Sequence, residues 1–167
     1  MNIFDYEIVL IPFLVEENHW TLICVDFTTK TIVHYDSYYQ TSSNFMLYCE
    51  VVLNYIYLEA TRLKKIDILQ NIDNWKVLQE KRWPQQQNAN ESGIFLCLYA
   101  ETLSIRAPPI FTTNDMNLHR VKIMIELLEN KLQERNYDLS YFVKDARDIM
   151  ENGSLTLGWM PKLNYIY

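Results

Sequence analysis

"WPQQQNANESGIFLC", residues 83–97, decides how the chain is read. From Ser92 the sequence runs on as "SGIFLCLYAETLS", an apolar stretch that predicts a buried helix ending before the "APP" break at 107–109. Ser92 stands at the head of that helix, and a serine there is ordinarily an N-cap. The same place has a second property. Unpaired backbone N–H groups and the helix dipole favour negative charge, so an anionic nucleophile at position 92 would be stabilised. Gly93 beside it lets other segments approach closely.

Two β-rich runs near the start of the chain supply candidate companions for Ser92. "HWTLICVDF" and "TIVHYDS" are separated by "TTK" and read as an antiparallel hairpin. Residues facing each other across a hairpin have a constant sum of numbers, which sets His19 opposite Asp36, to within about one rung, around a turn at Thr28-Thr29. A carboxylate in that position accepts an imidazole N–H, fixes the tautomer and stabilises the imidazolium. By itself such a pair is more often a structural hydrogen bond than a catalytic one.

Outward from these segments the periodicity marks an alternation of strands and helices. Residues 7–15 form a nearly continuous apolar run, which predicts a strand covered on both faces. Phe45, Cys49, Val52, Ile56, Ala60 and Leu63 recur at helical spacing, so a long helix is expected there, ending near the basic "RLKK". "NWKVLQEKRW" predicts a strand that stops at Pro84. A third helix is expected in "TTNDMNLHRVKIMIELLENKL", with Val121, Ile125, Leu128 and Leu132 on one face, and a fourth in "DLSYFVKDARDIM" on Leu139, Phe142, Val143, Ala146, Ile149 and Met150. No internal repeat or linker interrupts this pattern, so residues 1–167 are expected to form a single domain.

Composition narrows the functions open to that domain. Hydrophobic residues make up 49% and aromatics 14% of 167 residues, enough apolar surface for one core. A net charge of -6 argues against a nucleic-acid partner, because binding a phosphate backbone needs a basic surface. No stretch has the length and character of a membrane span or a secretory leader, and an intracellular protein without a membrane partner is expected. Cys24, Cys49 and Cys97 match neither a disulfide framework nor a zinc site, and all three read as buried thiols; no metal or cofactor is called for.

Taken together, "NHW", "HYDS" and "WPQQQNANESGIFLC" resemble the Ulp/SENP family of cysteine proteases, which process ubiquitin-like modifiers, principally SUMO. As in that family, an Asp (Asp36) follows the His-Trp pair (His19-Trp20) by 17 residues, and Gln86 in a Pro-Gln-Gln-x-Asn run stands six residues before position 92. "FTTNDMNLHRVKIM" is similar to the family's later helix, where Asp-Met is followed by Arg and Met. The resemblance covers about Val9 to Glu129. It implies an α+β, cysteine-protease-like (adenain-type) fold, a small mixed sheet packed by helices. It further implies His19 as general base, Asp36 as its orienting partner, Gln86 as oxyanion-hole donor and position 92 as nucleophile. Trp20 is similar to the aromatic that covers the tunnel for the modifier's Gly-Gly tail, with Gly93 beside it; from composition alone it is equally a core residue. The implied reaction is acyl transfer after the terminal Gly, and the implied partner is SUMO or another ubiquitin-like protein, in the nucleus or cytoplasm.

Three departures from the family pattern qualify what the resemblance implies. The family nucleophile is Cys, and the chain has Ser92, whose alkoxide is far less accessible than a thiolate. As written, the chain is expected to be inactive or nearly so. Ser92 is then either a deliberate replacement that traps a substrate complex or the residue of a natural pseudoprotease that keeps the fold as an interaction module. An active serine hydrolase is the less favoured third reading, the geometry being tuned for sulfur. Glu91 replaces the usual Asp. Family elements that precede the strand opening at Glu7 are missing from this sequence, whereas 134–167 extend past the usual family end and read as extra core or as a surface for a partner chain.

Overall fold

The computed structural model describes residues 2–38, 44–107, 109 and 111–132, apart from the side chain of residue 115. Four strands and four α-helices alternate along them: β1 (Ile8–Val15), β2 (His19–Asp26), β3 (Thr31–Tyr35), α1 (Phe45–Arg62), α2 (Ile66–Leu69), β4 (Lys76–Glu80), α3 (Ser92–Ser104) and α4 (Met116–Glu129). The strands form one mixed sheet in the order β1-β2-β3-β4. Its first three strands are antiparallel neighbours and β4 runs parallel to β3. A parallel pair cannot be joined by a tight turn, and the long α1 lies in the connection between its strands. The α+β architecture expected from the sequence is therefore the observed one.

Period-two alternation divides the side chains of the central strands between two cores. Ile23 and Val25 of β2 and Ile32 of β3 face α1, where Cys49, Val52 and Ile56 meet them together with Ile72 and Trp75. Leu22 and Cys24 of β2 and Tyr35 of β3 face the other way, against Phe95, Leu98 and Tyr99 of α3. This second core is aromatic: Tyr35 lies 4.7 Å from Trp83 between ring centroids, Trp83 lies 5.4 Å from Tyr99, and Tyr99 lies 5.8 Å from Phe111. The Tyr99 hydroxyl donates to the Pro84 carbonyl at 2.6 Å, which satisfies the buried phenol and holds the loop before α3.

The expected elements are present with some changes of detail. β1 is an edge strand, half-buried where Ile8 and Leu10 meet one core and Val9 and Ile11 the other, while Pro12 and Leu14 are exposed. Proline is tolerated there because an edge strand leaves donors unpaired. The β2–β3 ladder pairs Asp26 with Thr31 and Leu22 with Tyr35, so its centre lies between Thr28 and Thr29, the turn expected from the sequence, and the register departs from a direct His19–Asp36 pairing by one rung. The Asp26 carboxylate sets this turn by accepting the amides of Thr28 and Thr29 at 2.8 and 3.0 Å. Among the cysteines, Cys24 and Cys49 are buried but Cys97 is exposed, contrary to expectation. The buried side of α3 carries Phe95, Leu98, Tyr99 and Thr102, and the 3.6-residue repeat turns residue 97 away from it.

Met1–Met116 form one unit, and the described residues 117–132 belong to a second. In the second, α4 confirms the expected third helix, but Val121, Leu128 and Leu132 are exposed. Helical period fixes which side chains share a face, not whether that face is covered. The fourth expected helix and the 134–167 extension lie outside the described residues. Among the described residues no helix is long and apolar enough to cross a membrane.

The two sides of α1 make the packing testable. Ile56 is 1% exposed and Leu58 is 64% exposed. Ile56→Ala is expected to cost about 2–5 kcal/mol in urea unfolding, and Leu58→Ala no more than about 0.5 kcal/mol. Burial pushes the Cys49 thiol up to about 12, and burial with the nearby Asp26 charge, opposed by Arg106, does the same to Cys24. A thiolate-specific reagent should therefore titrate a single thiol, Cys97, in the folded chain and all three after unfolding.

Candidate functional site

His19 opens β2 directly after the β1–β2 turn, where Val15 pairs with His19 and the Asn18 amide donates to the Val15 carbonyl at 3.3 Å. Glu16 and Glu17 complete that turn with φ of 51° and 63°, left-handed conformations that cost a non-glycine residue about 1–3 kcal/mol each. The tight reversal fixes where His19 begins. Its Nε2 lies 2.7 Å from Oδ1 of Asp36, the first residue past β3, and both residues are buried. The same Oδ1 accepts the Tyr38 amide at 2.8 Å, which anchors the carboxylate to its own chain. Continuing the observed ladder puts position 36 opposite Thr21, so His19 and Asp36 meet diagonally on one face and not as a direct pair. A diagonal neighbour is within reach of side chains as long as these. With Nε2 engaged by Asp36, the imidazole nitrogen left for proton transfer is Nδ1.

Ser92 arrives from the other layer. It is the first residue of α3, with φ -54° and ψ -38°, and its Oγ accepts the Trp20 backbone amide at 3.2 Å. Ser92 is thus a helical residue and not the N-cap: Glu91 occupies that position and makes no side-chain capping bond. At the far end of β2, the Arg106 guanidinium just beyond α3 bonds Asp26 at 3.0 Å and Glu7 at 3.1 Å. The helix lies along the strand, its start at Trp20 and its end at Asp26. About 20 Å of strand from residue 20 to 26 is close to the about 18 Å that α3 rises from Ser92 to Ser104, and Arg106 two residues further on reaches Asp26, so both ends can be tied at once.

Trp20 is 41% exposed, as is its ladder partner Leu14 at 45%, and the plain-core reading of Trp20 does not hold. A Cβ placed on Gly93 would lie 3.7 Å from Trp20 Cδ1, an ordinary contact, so the indole lies against the head of α3 at a distance that does not require glycine there. Gln86 is also buried nearby. Its amide N–H donates to the Ser37 carbonyl at 2.9 Å, its Oε1 accepts the Ser37 hydroxyl at 2.6 Å, and its Nε2 donates to the carbonyls of Asn88 at 3.0 Å and Ala89 at 3.4 Å. A continuous path of hydrogen bonds and covalent bonds therefore links His19, Asp36, Ser37, Gln86, the 88–91 turn, Ser92 and Trp20. All six residues singled out in the sequence belong to this neighbourhood.

Three contributors were not singled out for a place in the site. Ser37 holds Gln86, Asn88 Nδ2 donates to Glu91 Oε1 at 3.0 Å, and Glu91 is itself buried with Oε2 lacking a hydrogen-bond partner. The one sequence signal for Ser37 was its place directly after Asp36 in "HYDS".

His34, two residues before Asp36, is fully buried on the α1 side, stacked on Phe45 at 6.4 Å between ring centroids, and neither ring nitrogen has a hydrogen-bond partner. Burial holds its imidazole below the usual histidine range, with Asp36 pulling the other way and His19 adding to the depression. Such a group binds a proton more readily once the chain unfolds. Its contribution to stability is complete above the unfolded value of about 6.5 and is lost as pH falls below that value. Urea midpoints at pH 7.5 and 5.5 are expected to drop more in the parent chain than in His34→Phe; equal drops would contradict the assignment.

Comparison with known proteins bears on the family and the fold. Residues 1–134 match the Ulp1 protease family, C-terminal catalytic domain. Sentrin-specific protease 2 of Pongo abelii is 33% identical over 134 residues, 79% of this chain and 22% of that protein. The sentrin-specific protease of Caenorhabditis elegans is 33% identical over 79% of this chain and 18% of its own length. The chain thus spans about a fifth of the curated relatives it matches. Among solved structures, the SUMO protease Ulp1 with its catalytic cysteine oxidised to a sulfonic acid superposes with a TM-score of 0.67 at 21% identity, over 78% of this chain and 56% of that one, a likeness of fold. With the family matched over most of its length, the chain belongs to the Ulp1 protease family, in the region of that family's C-terminal catalytic domain.

Proposed function

We propose that this chain receives the C-terminal Gly-Gly tail of SUMO or another ubiquitin-like protein at the His19-Asp36-Ser92 constellation, and that Ser92 reduces cleavage after that tail to a trace. The observation that carries the reading is the buried 2.7 Å His19–Asp36 bond, with Ser92 Oγ held on the amide of the residue after His19. The relatives support the substrate class: those named above are sentrin-specific proteases, and Ulp1 has been solved in complex with Smt3, the yeast ortholog of SUMO.

In this reading, the group at position 92 attacks the carbonyl of the terminal Gly, Gln86 and backbone amides take up the developing oxyanion, and His19 protonates the leaving amine. The bond cut is a peptide bond in a precursor or an isopeptide bond to lysine. A thiolate at position 92 would gain from the Trp20 amide and from the first turn of α3. A serine hydroxyl at the same place stays protonated, and its shorter C–O bond sets the attacking atom back. Loss of the nucleophile in a hydrolase costs on the order of a million-fold, which sets the scale of the expected deficit.

The second reading, a natural pseudoprotease acting as an interaction module, draws on Glu91. Glu91 stands, buried, in place of the family's usual Asp directly before position 92, a second departure beside Ser92 itself. A cysteine codon at position 92 in the genome would end that reading. Ser92→Cys is expected to produce hydrolysis of a fluorogenic C-terminal amide of SUMO, and adding His19→Ala should remove it. A folded Ser92→Cys protein without turnover would overturn the protease reading.

A further inference from the structure

We infer that Ser37 is the positioning residue of the proposed oxyanion donor, anchoring the Gln86 carboxamide with its donor end toward the nucleophile's turn. The inference rests on the reading of Gln86 given above and adds to it a residue that does not itself touch substrate.

Ser37 is 1% exposed and Gln86 is 7% exposed, so neither side chain exchanges freely with water. The two are bonded twice. The Gln86 amide N–H donates to the Ser37 carbonyl at 2.9 Å, and the Ser37 hydroxyl donates to Gln86 Oε1 at 2.6 Å. A carboxamide can rotate to exchange its oxygen and nitrogen, and the surroundings decide between the two orientations. With Oε1 on Ser37, Nε2 faces the carbonyls of Asn88 and Ala89, both acceptors. The reverse orientation would turn Oε1 onto those two carbonyl oxygens and leave three acceptors facing one another. The 88–89 carbonyls therefore select the orientation, since the Ser37 hydroxyl can donate or accept. Ser37 anchors the selected Oε1, so that the donor end stays directed at the turn leading into Ser92.

The two Nε2 contacts differ in strength. The 3.0 Å bond to Asn88 is ordinary and the 3.4 Å contact to Ala89 is long, so the second N–H is the one an oxyanion can recruit. Recruitment leaves Oε1 on Ser37 and needs no rotation of the amide, which is the preorganisation that makes such a donor effective. Ser37 is also joined to Asp36 by a peptide bond. One two-residue segment thus orients the imidazole through Asp36 and the donor through Ser37.

The activity test uses Ser92→Cys as the reference enzyme. Adding Ser37→Ala is expected to lower kcat about 10- to 100-fold with KM within about two-fold, below the full loss of an oxyanion donor. Ser37→Thr, which retains a hydroxyl, should recover most of it. In the Gln86→Ala background, Ser37→Ala should add less than about two-fold, because its effect passes through Gln86. An equal loss in both backgrounds would mark Ser37 as merely structural and overturn the inference.

A second measurement needs no turnover and uses the chain as it stands. The Gln86 side-chain NH2, assigned by its absence in Gln86→Glu, is expected to exchange slowly with solvent, and in Ser37→Ala to exchange at least about ten-fold faster. Unchanged exchange would overturn the positioning role whatever Ser92→Cys does. Inactivity of Ser92→Cys with the exchange result as expected would overturn only the functional reading.

Discussion

The site depends on α3 lying along β2 and being held at both ends. At one end the Trp20 amide donates to Ser92 Oγ; at the other Arg106 ties the chain beyond the helix to Asp26 and Glu7. Between these ties Leu22 and Cys24 of the strand pack with Phe95, Leu98 and Tyr99 of the helix, and burial of these aromatic and aliphatic side chains supplies most of the attraction. A helix rising 1.5 Å per residue and a strand rising about 3.4 Å stay in step over this length. The first residue of the helix is consequently fixed beside the residue that follows His19.

The polar network is built onto that arrangement at one end of the sheet. There the β2–β3 ladder stops at Leu22 and Tyr35, and the chain beyond carries Asp36 and Ser37, whose side chains turn to His19 and Gln86. Both bonds join buried groups, so each replaces water that burial removed; breaking either would leave a buried polar atom without a partner. Serine at position 92 fits this network without strain, accepting the Trp20 amide as an ordinary hydroxyl. The same surroundings would favour an anion at that point, and hydrogen-bond geometry alone makes no distinction between the two.

Much of this was legible from residue order. The hairpin could be read because β-branched and aromatic runs flank a polar turn, α1 because its apolar residues recur at helical spacing, and α3 because an apolar stretch lies between Ser92 and the proline break. His19, Asp36, Gln86 and Ser92 could be found through their spacing, which is characteristic of the family. The rung on which His19 and Asp36 meet was legible only to within one step: Asp26 captures the amides of Thr28 and Thr29 and centres the ladder between them, a side-chain choice that strand periodicity does not record. The exposure of Cys97 was missed because a cysteine in an apolar helix is usually buried, whereas the face of α3 against the sheet is set by Phe95, Leu98 and Tyr99.

By itself, then, the sequence determined which segments are strands and helices, the α+β class, and the identity of the residues that meet at the head of α3. The segments follow from local periodicity, which acts within a few residues, whereas the class and the site residues were reached through the resemblance of the motifs and their spacing to those of the family, written in the order of the chain. Only the tertiary structure decided that Ser92 is a helical residue bonded to the Trp20 amide, that Trp20 is exposed, and that Ser37 is hydrogen-bonded to Gln86. Those features join residues 49 and 72 positions apart or depend on which face of an element another element covers. Contacts of that kind arise from packing whole elements together, and no local rule of the chain encodes them.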